Sequence, residues 1–161
     1  MNLKIGQGID FHRLENGLSL WIGGILIPSE KGCVAHSDGD VLLHAVCDAL
    51  LGAAGLKDIG HYFPDTSEEF RNIDSKILLG KTFGYIREKG FRIVNIDSTI
   101  LLEKPKIYPY IDDMKSVISS ILDIQPDNIS IKATTTEKMG PVGREEGIVA
   151  HANVLVKKIG A

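Results

Sequence analysis

Apolar positions recur along this chain with two periods. Near the C-terminus Ile148, Ala150, Ala152, Val154 and Val156 take every second place, so a strand over 148–157 would bury one face. Residues 3–10 also read as a strand, with glycines near its end. Residues 18–27 read as two short strands broken at Gly23-Gly24, and 91–103 and 128–135 as strands rich in β-branched residues. Helical spacing appears first at Val41, Leu42, Ala45, Val46, Ala49 and Leu50. It predicts a helix to Leu51, capped by Ser37 or Asp38 and ended near Gly52 or Gly55. Asp74 caps a second helix through Lys89, closed by Gly90, and Pro109 opens a third with a stripe of Ile111, Met114, Val117, Ile118, Ile121 and Leu122. Residues 57–72 carry little periodicity and read as a long loop, as does the polar, glycine-rich 137–147. The order β-β-β-α-α-β-α-β-β predicts a single α+β domain over 1–161, one mixed β-sheet with helices packed on one face.

Composition narrows the function classes. The 161 residues carry a net charge of −3, with 43% apolar and 24% charged residues. That excludes a disordered chain, a fibre or a disulfide scaffold, and the mild acidity argues against a nucleic-acid binder. The longest stretch without charge, 16–29, is interrupted by Gly23, Gly24 and Pro28, and a spanning helix needs about 20 apolar residues. The first residues lack the pattern of a signal peptide. Cys33 and Cys47 lack zinc-type spacing, as expected of free, buried thiols in a cytoplasmic protein with no membrane association.

Asp10 and His12 flank one residue, so on a strand both side chains point to the same side. His44 lies inside the first predicted helix, four residues from Asp40 and from Asp48. Two imidazoles and a carboxylate leave a fourth position open on a zinc ion, the catalytic pattern. Spacing alone leaves the alternative open: a chance Asp-x-His pair and a merely hydrogen-bonded helical histidine. Asp40 or Asp48 would orient His44 or be surface charge. His36 to Asp40 precede a helix N-terminus that suits phosphate, or that is simply capped. The run Lys132-Ala-Thr-Thr-Thr-Glu-Lys138 offers groups for a phosphate and a second divalent ion, or is plain sheet. Lys104-Pro105-Lys106 is a diphosphate contact or a turn with solvated lysines. Gly6-Gln7-Gly8 starts a dinucleotide fingerprint that fails at Phe11. The chain also lacks a GxxxxGK[ST] motif and a GxSxG motif. These absences disfavour a dehydrogenase, a P-loop NTPase and a hydrolase.

Taken together, GQGIDFHR (6–13), EKGCVAHSDGDVLLHAVCDALLGAAGLKDIGHYFPDT (30–66) and KATTTEKMGPVGREEGI (132–148) resemble the 2-C-methyl-D-erythritol 2,4-cyclodiphosphate synthase family of the non-mevalonate (MEP) isoprenoid pathway. The resemblance implies a phosphorus–oxygen lyase. It would convert 4-diphosphocytidyl-2-C-methyl-D-erythritol 2-phosphate to the cyclic diphosphate and CMP. It implies a homotrimer with sheets facing the axis and sites between neighbouring subunits, Zn²⁺ on Asp10, His12 and His44, and Mg²⁺ or Mn²⁺ touching Glu137. It places His36 and Ser37 at substrate phosphate, and Asp58, Ile59 and Gly60 near the methylerythritol hydroxyls, with Phe63, Pro64, Asp65, Thr66 and Ser67 on the same loop. Leu102, Lys104, Lys106, Tyr108, Thr134, Thr135, Thr136 and Glu137 would hold the cytidine diphosphate end. Thr135 and His36 would stabilise the transition state, and Arg144 would lie near the axis, where an isoprenoid diphosphate can bind. The chain departs from the family pattern at Pro141-Val142, where Phe-Thr is frequent, and at His151, where a carboxylate or amide is expected. Two rival readings are a zinc-dependent phosphohydrolase and a non-catalytic nucleotide- or isoprenoid-binding trimer with structural zinc.

Overall fold

Strand β1 (Leu3–Asn16) runs well past the end expected at residue 10 because its neighbour holds it. That neighbour, β7 (Gly147–Lys158), pairs antiparallel from Leu3 opposite Lys157 to Arg13 opposite Gly147. On the other edge of β7 lies β5 (Phe91–Leu101), also antiparallel, and β6 (Ile129–Thr134) adds parallel to β5. A short strand, β4 (Lys31–Val34), pairs with the far end of β1 and gives the order β4-β1-β7-β5-β6. Four residues are too few to display alternation, so β4 was not legible in the sequence. The structure, a computed structural model, describes residues 2–159.

Strands β2 (Leu20–Ile22) and β3 (Ile25–Ile27) meet across Gly23-Gly24 as expected but pair only with each other. The expected single sheet is therefore a five-stranded mixed sheet plus a two-stranded hairpin. The helical layer is α1 (Val41–Ala54), α3 (Ser75–Glu88) and α4 (Ile111–Leu122). Helix α1 lies across β1 and β7, with α3 beside it and α4 toward β6. The segment 57–72, expected to be irregular, contains a one-turn helix α2 (Ile59–Tyr62) and a 3-10 turn at Glu68–Phe70. The loop 137–147 likewise contains the short α5 (Gly140–Gly143). Alternation in β7 holds: Ile148, Ala150, Ala152, Val154 and Val156 are all buried under the helices.

Helix α1 is the centre of the core: 12 of its 14 residues are buried. Its cap is Asp40 rather than Ser37 or Asp38. The fully buried Asp40 carboxylate accepts hydrogen bonds from Leu43 N at 3.0 Å, Gly23 N at 2.9 Å and Gly24 N at 2.6 Å, joining the helix start to the hairpin turn. Burial pushes its pKa up, and the three N–H donors oppose that rise. Replacing Asp40 by alanine would strand three buried donors. The expected loss is about 3 kcal/mol, or about 6–12 °C in Tm for a domain of this size. Asp40→Asn, which keeps one acceptor oxygen, should cost less. Equal melting of the two variants and the parent would rule the carboxylate out as a structural clamp.

The glycines of the failed fingerprint have a packing role. A Cβ on Gly6 would lie 1.9 Å from Ala49 O, and one on Gly8 would lie 1.9 Å from Ala45 O. Only glycine lets the small-residue face Ala45, Ala49 and Ala53 approach the strand this closely. On the opposite face the odd-numbered residues Ile5, Ile9 and Phe11 are exposed. Phe11 stands opposite Val149, and His151 lies between Ile9 and Thr99. Among the described residues only the short α5 meets that face, with Pro141 and Val142 beside Phe11 and Val149 at one end.

Candidate active site and metal centre

The contact of Gly8 with Ala45 sets His44, the preceding residue, above Asp10 and His12. Asp10 Oδ2, His12 Nε2 and His44 Nδ1 form a triangle with all three edges 3.1 Å. Protons cannot satisfy all three edges. A proton on either nitrogen serves one contact, and protons on both would oppose each other across the nitrogen–nitrogen edge. A cation facing all three lone pairs can satisfy them together, and two imidazole nitrogens with one carboxylate oxygen are donors for a divalent first-row metal. Burial draws His12 below the ordinary imidazole pKa, against the pull of Asp10. Burial acts the same way on His44, but the hydrogen bond and charge of Asp10 outweigh it and leave His44 raised.

The back of the His44 ring is also held. Its Nε2 lies 2.8 Å from Ser75 Oγ and 3.2 Å from Ser37 Oγ. Asp40 and Asp48, which the helical spacing left as either partners of this ring or surface charge, do not touch its nitrogens. Asp40 caps the helix, and Asp48 accepts from Ile59 N at 2.7 Å, tying α2 to α1. Helical spacing suggested them, but their oxygens are taken by backbone donors. Ser75 was missed because its only local signal is its place after the cap Asp74.

The triangle opens into a cavity of about 450 Å³. Of the residues predicted for the site, Asp10, His12, His36, Ser37, His44, Ile59, Gly60, Phe63, Pro64 and Asp65 line it, joined by the apolar Phe70, Ile73 and Leu78. His36 Nε2 donates to Ser67 O at 3.0 Å, and Asn72 N donates to His36 O at 2.7 Å. His36 therefore pins the loop around Ser67, and its Nδ1 is the nitrogen left for a ligand. Thr66 lies in an adjoining depression with Asp65, and Asp58 Oδ1 caps α2 by accepting from His61 N at 2.9 Å. Phe63 packs edge-on against Phe70 with centroids 5.5 Å apart, making a dry wall.

The remaining predicted residues are not brought to this cavity. Asp10 pairs with Ala150, Ala150 with Ile100, and Ile100 with Ala133. Three strand spacings, about 14 Å, therefore separate the triangle from the end of β6. There Thr134, Thr135 and Glu137 are exposed, as are Lys106 and Tyr108. Leu102, expected to touch a ligand, is instead a core side chain, and its N–H donates to Thr134 O at 3.0 Å. Lys104 pairs with Glu145 at 3.1 Å, and Arg144 with Glu146 through Nε at 2.8 Å and a second nitrogen at 3.1 Å.

One residue absent from the sequence reading organises this second cluster. Glu103 Oε1 accepts from Thr136 N at 2.9 Å, Thr136 Oγ1 at 3.2 Å and Lys138 N at 3.3 Å. It thereby holds the Thr-Glu loop, in which Glu137 and Lys138 both have positive φ. Glu103→Ala should loosen that loop without disturbing the triangle. Amide exchange at Thr136 and Lys138 is expected to accelerate while metal content stays at the parent level. Unchanged exchange would mean that the loop holds itself.

The family model of the YgbB family matches residues 3–157. A 2-C-methyl-D-erythritol 2,4-cyclodiphosphate synthase of Bacteroides fragilis is 55% identical over 159 residues, covering 99% of this chain and all of the relative. That of Bacillus cereus is 52% identical over 155 residues, covering 96% of this chain and 98% of the relative. Among solved structures, the bifunctional IspDF of Campylobacter jejuni superposes with a TM-score of 0.94 at 41% identity, over 98% of this chain and 42% of that one. The CDP complex of IspF from Plasmodium falciparum gives 0.87 at 33%, over 99% of both chains. The likeness runs from one end of the chain to the other, through both clusters, and the chain belongs to the YgbB family, that of the 2-C-methyl-D-erythritol 2,4-cyclodiphosphate synthases.

Proposed function

We propose that this protein converts 4-diphosphocytidyl-2-C-methyl-D-erythritol 2-phosphate to 2-C-methyl-D-erythritol 2,4-cyclodiphosphate and CMP, as a phosphorus–oxygen lyase of the MEP pathway in the cytoplasm. The observation that carries this reading is the three-sided donor triangle at the floor of an open cavity, in a chain of this family. Asp10, His12 and His44 would hold Zn²⁺. Tetrahedral zinc with bonds of about 2.0–2.1 Å sets its ligand atoms about 3.3–3.4 Å apart, near the 3.1 Å spacing of these three. Glu137 would hold Mg²⁺ or Mn²⁺.

The nucleophile is a phosphate oxygen, already ionised near neutral pH, so no general base is required. The barrier is the approach of two anions: each unit-charge pair at about 5 Å repels by roughly 3 kcal/mol at an effective dielectric of 20. The bound metals would supply neutralising charge and alignment there. Ser37, through Oγ, stands at the cavity wall to donate to substrate phosphate, and His36, whose Nε2–H is held by Ser67 O, would donate through Nδ1 in its doubly protonated form. Ile59 and Gly60 line the part where the erythritol would lie. Phe63 and Phe70 exclude water, which would otherwise compete by hydrolysis. The cytidine diphosphate of the substrate would lie along 102–108 and Thr134–Glu137, with Thr135 stabilising the transition state.

Those segments stand about 14 Å from the triangle in one chain, which favours a homotrimer whose neighbouring subunit supplies them. The sheet face with exposed Ile5, Ile9 and Phe11 is apolar surface of the kind subunits bury. An isoprenoid diphosphate on the axis would meet an Arg144 whose Nε and one terminal nitrogen are paired with Glu146, leaving the other terminal nitrogen to donate.

Incubation with the diphosphocytidyl substrate and Mg²⁺ in ¹⁸O-labelled water tests the reading. The expected result is a cyclic product in equal amount with CMP and free of label. Label in the products would overturn it in favour of hydrolysis.

A further inference from the structure

We propose that Asp38 and Ser75 act as a positioning pair that fixes which nitrogen of His44 carries its proton, and so keep Nδ1 open toward the metal. The inference rests on the metal reading above. Ser75 is the first residue of α3 and is fully buried. Its backbone N–H, one of the donors a helix start leaves without a partner, donates to Asp38 Oδ2 at 2.9 Å. Its hydroxyl donates to Asp38 Oδ1 at 2.5 Å. Asp38 Oδ1 also accepts from Asp40 N at 3.1 Å, so this carboxylate acts as an acceptor throughout.

A serine hydroxyl has one proton. Once that proton points to Asp38, only a lone pair faces His44 Nε2 at 2.8 Å. The contact is then favourable only if Nε2 bears the hydrogen. A neutral imidazole with Nε2–H has its lone pair on Nδ1, and Nδ1 is the nitrogen in the triangle with Asp10 and His12. Ser37 Oγ, at 3.2 Å, already accepts from Gly39 N and is the longer contact. The chain Asp38–Ser75–His44 thus carries a choice made at a carboxylate to the ligand atom two hydrogen bonds away.

Two variants separate this role from simple packing. Ser75→Ala removes the acceptor, and zinc affinity of the full chain should fall by about 10–100-fold, as on loss of a partner behind a metal ligand. Asp38→Asn reverses the polarity. Its amide oxygen at the Oδ2 place keeps the Ser75 N–H, its NH₂ at the Oδ1 place faces Ser75 Oγ at the cost of the Asp40 N bond, and the hydroxyl turns to donate to His44 Nε2. The hydrogen moves to Nδ1 and blocks the ligand site. Competition with a chromophoric chelator reads the affinity. Long-range ¹H–¹⁵N correlation of the zinc-free full chain at alkaline pH reads the tautomer. Thermal unfolding controls for folding.

The expected result is a larger Nε2–H fraction at His44 in the parent, where Asp10 Oδ2 competes for the hydrogen at Nδ1, than in Asp38→Asn, and weaker zinc binding in both variants than their unfolding temperatures account for. Parent-like affinity in both variants, or losses that only track unfolding with an unchanged tautomer, would overturn the pair. A parent chain that binds no zinc would instead overturn the metal reading itself.

Discussion

Replacing His44 by alanine is expected to remove bound zinc and nearly all CMP release while leaving the chain folded. Two donors, Asp10 and His12, would remain of the three that now stand 3.1 Å apart. The loss should exceed the 10–100-fold penalty for removing a mere outer partner. The structural cost is smaller. The imidazole is almost wholly buried, and its removal leaves Ser75 Oγ without the N–H it accepts from. About 1–2 kcal/mol is expected for that, or roughly 2–8 °C in Tm. Elemental analysis for zinc, a CMP assay and thermal unfolding together check the outcome. Parent-level turnover in a zinc-free His44→Ala protein would refute both the metal centre and the function built on it.

Gly8→Ala should harm the protein through packing and chemistry at once. Its new Cβ would sit 1.9 Å from Ala45 O and 2.8 Å from Ala49 N, far inside van der Waals contact. Both obstacles are backbone of α1, so no side chain can swing aside and the helix itself must lift by about 1 Å. About 3 kcal/mol of destabilisation is expected from such overpacking, or roughly 6–12 °C in Tm. The same shift carries His44 away from Asp10, and metal ligands tolerate errors of only about 0.2 Å. Metal affinity should therefore fall even in the fraction that remains folded. Gly52→Ala in the same helix is the contrast. Gly52 is exposed and its nearest neighbour would lie 3.9 Å away, so alanine there should stabilise by up to about 1 kcal/mol through helix propensity. If both substitutions behaved alike, the strand–helix contact would not be what positions His44.

What the chain's local pattern determined is its elements and the ingredients of its site. Period-two burial in β7, the apolar faces of α1 and α4, and the cap at Asp74 follow from side-chain alternation along a few residues, and the folded chain keeps them. The resemblance in Asp-x-His and in the segment around His44 points to the three side chains that the fold brings together in the triangle. Tertiary structure decided who meets whom. It turned Gly6 and Gly8 from a fragment of a nucleotide motif into a seat for α1. Asp40 went to the hairpin turn, and Ser75 was chosen to hold His44. The Thr-Glu loop was set three strands away from the triangle. These outcomes depend on strand register and on competition among buried donors and acceptors far apart in the chain, which a linear pattern does not encode.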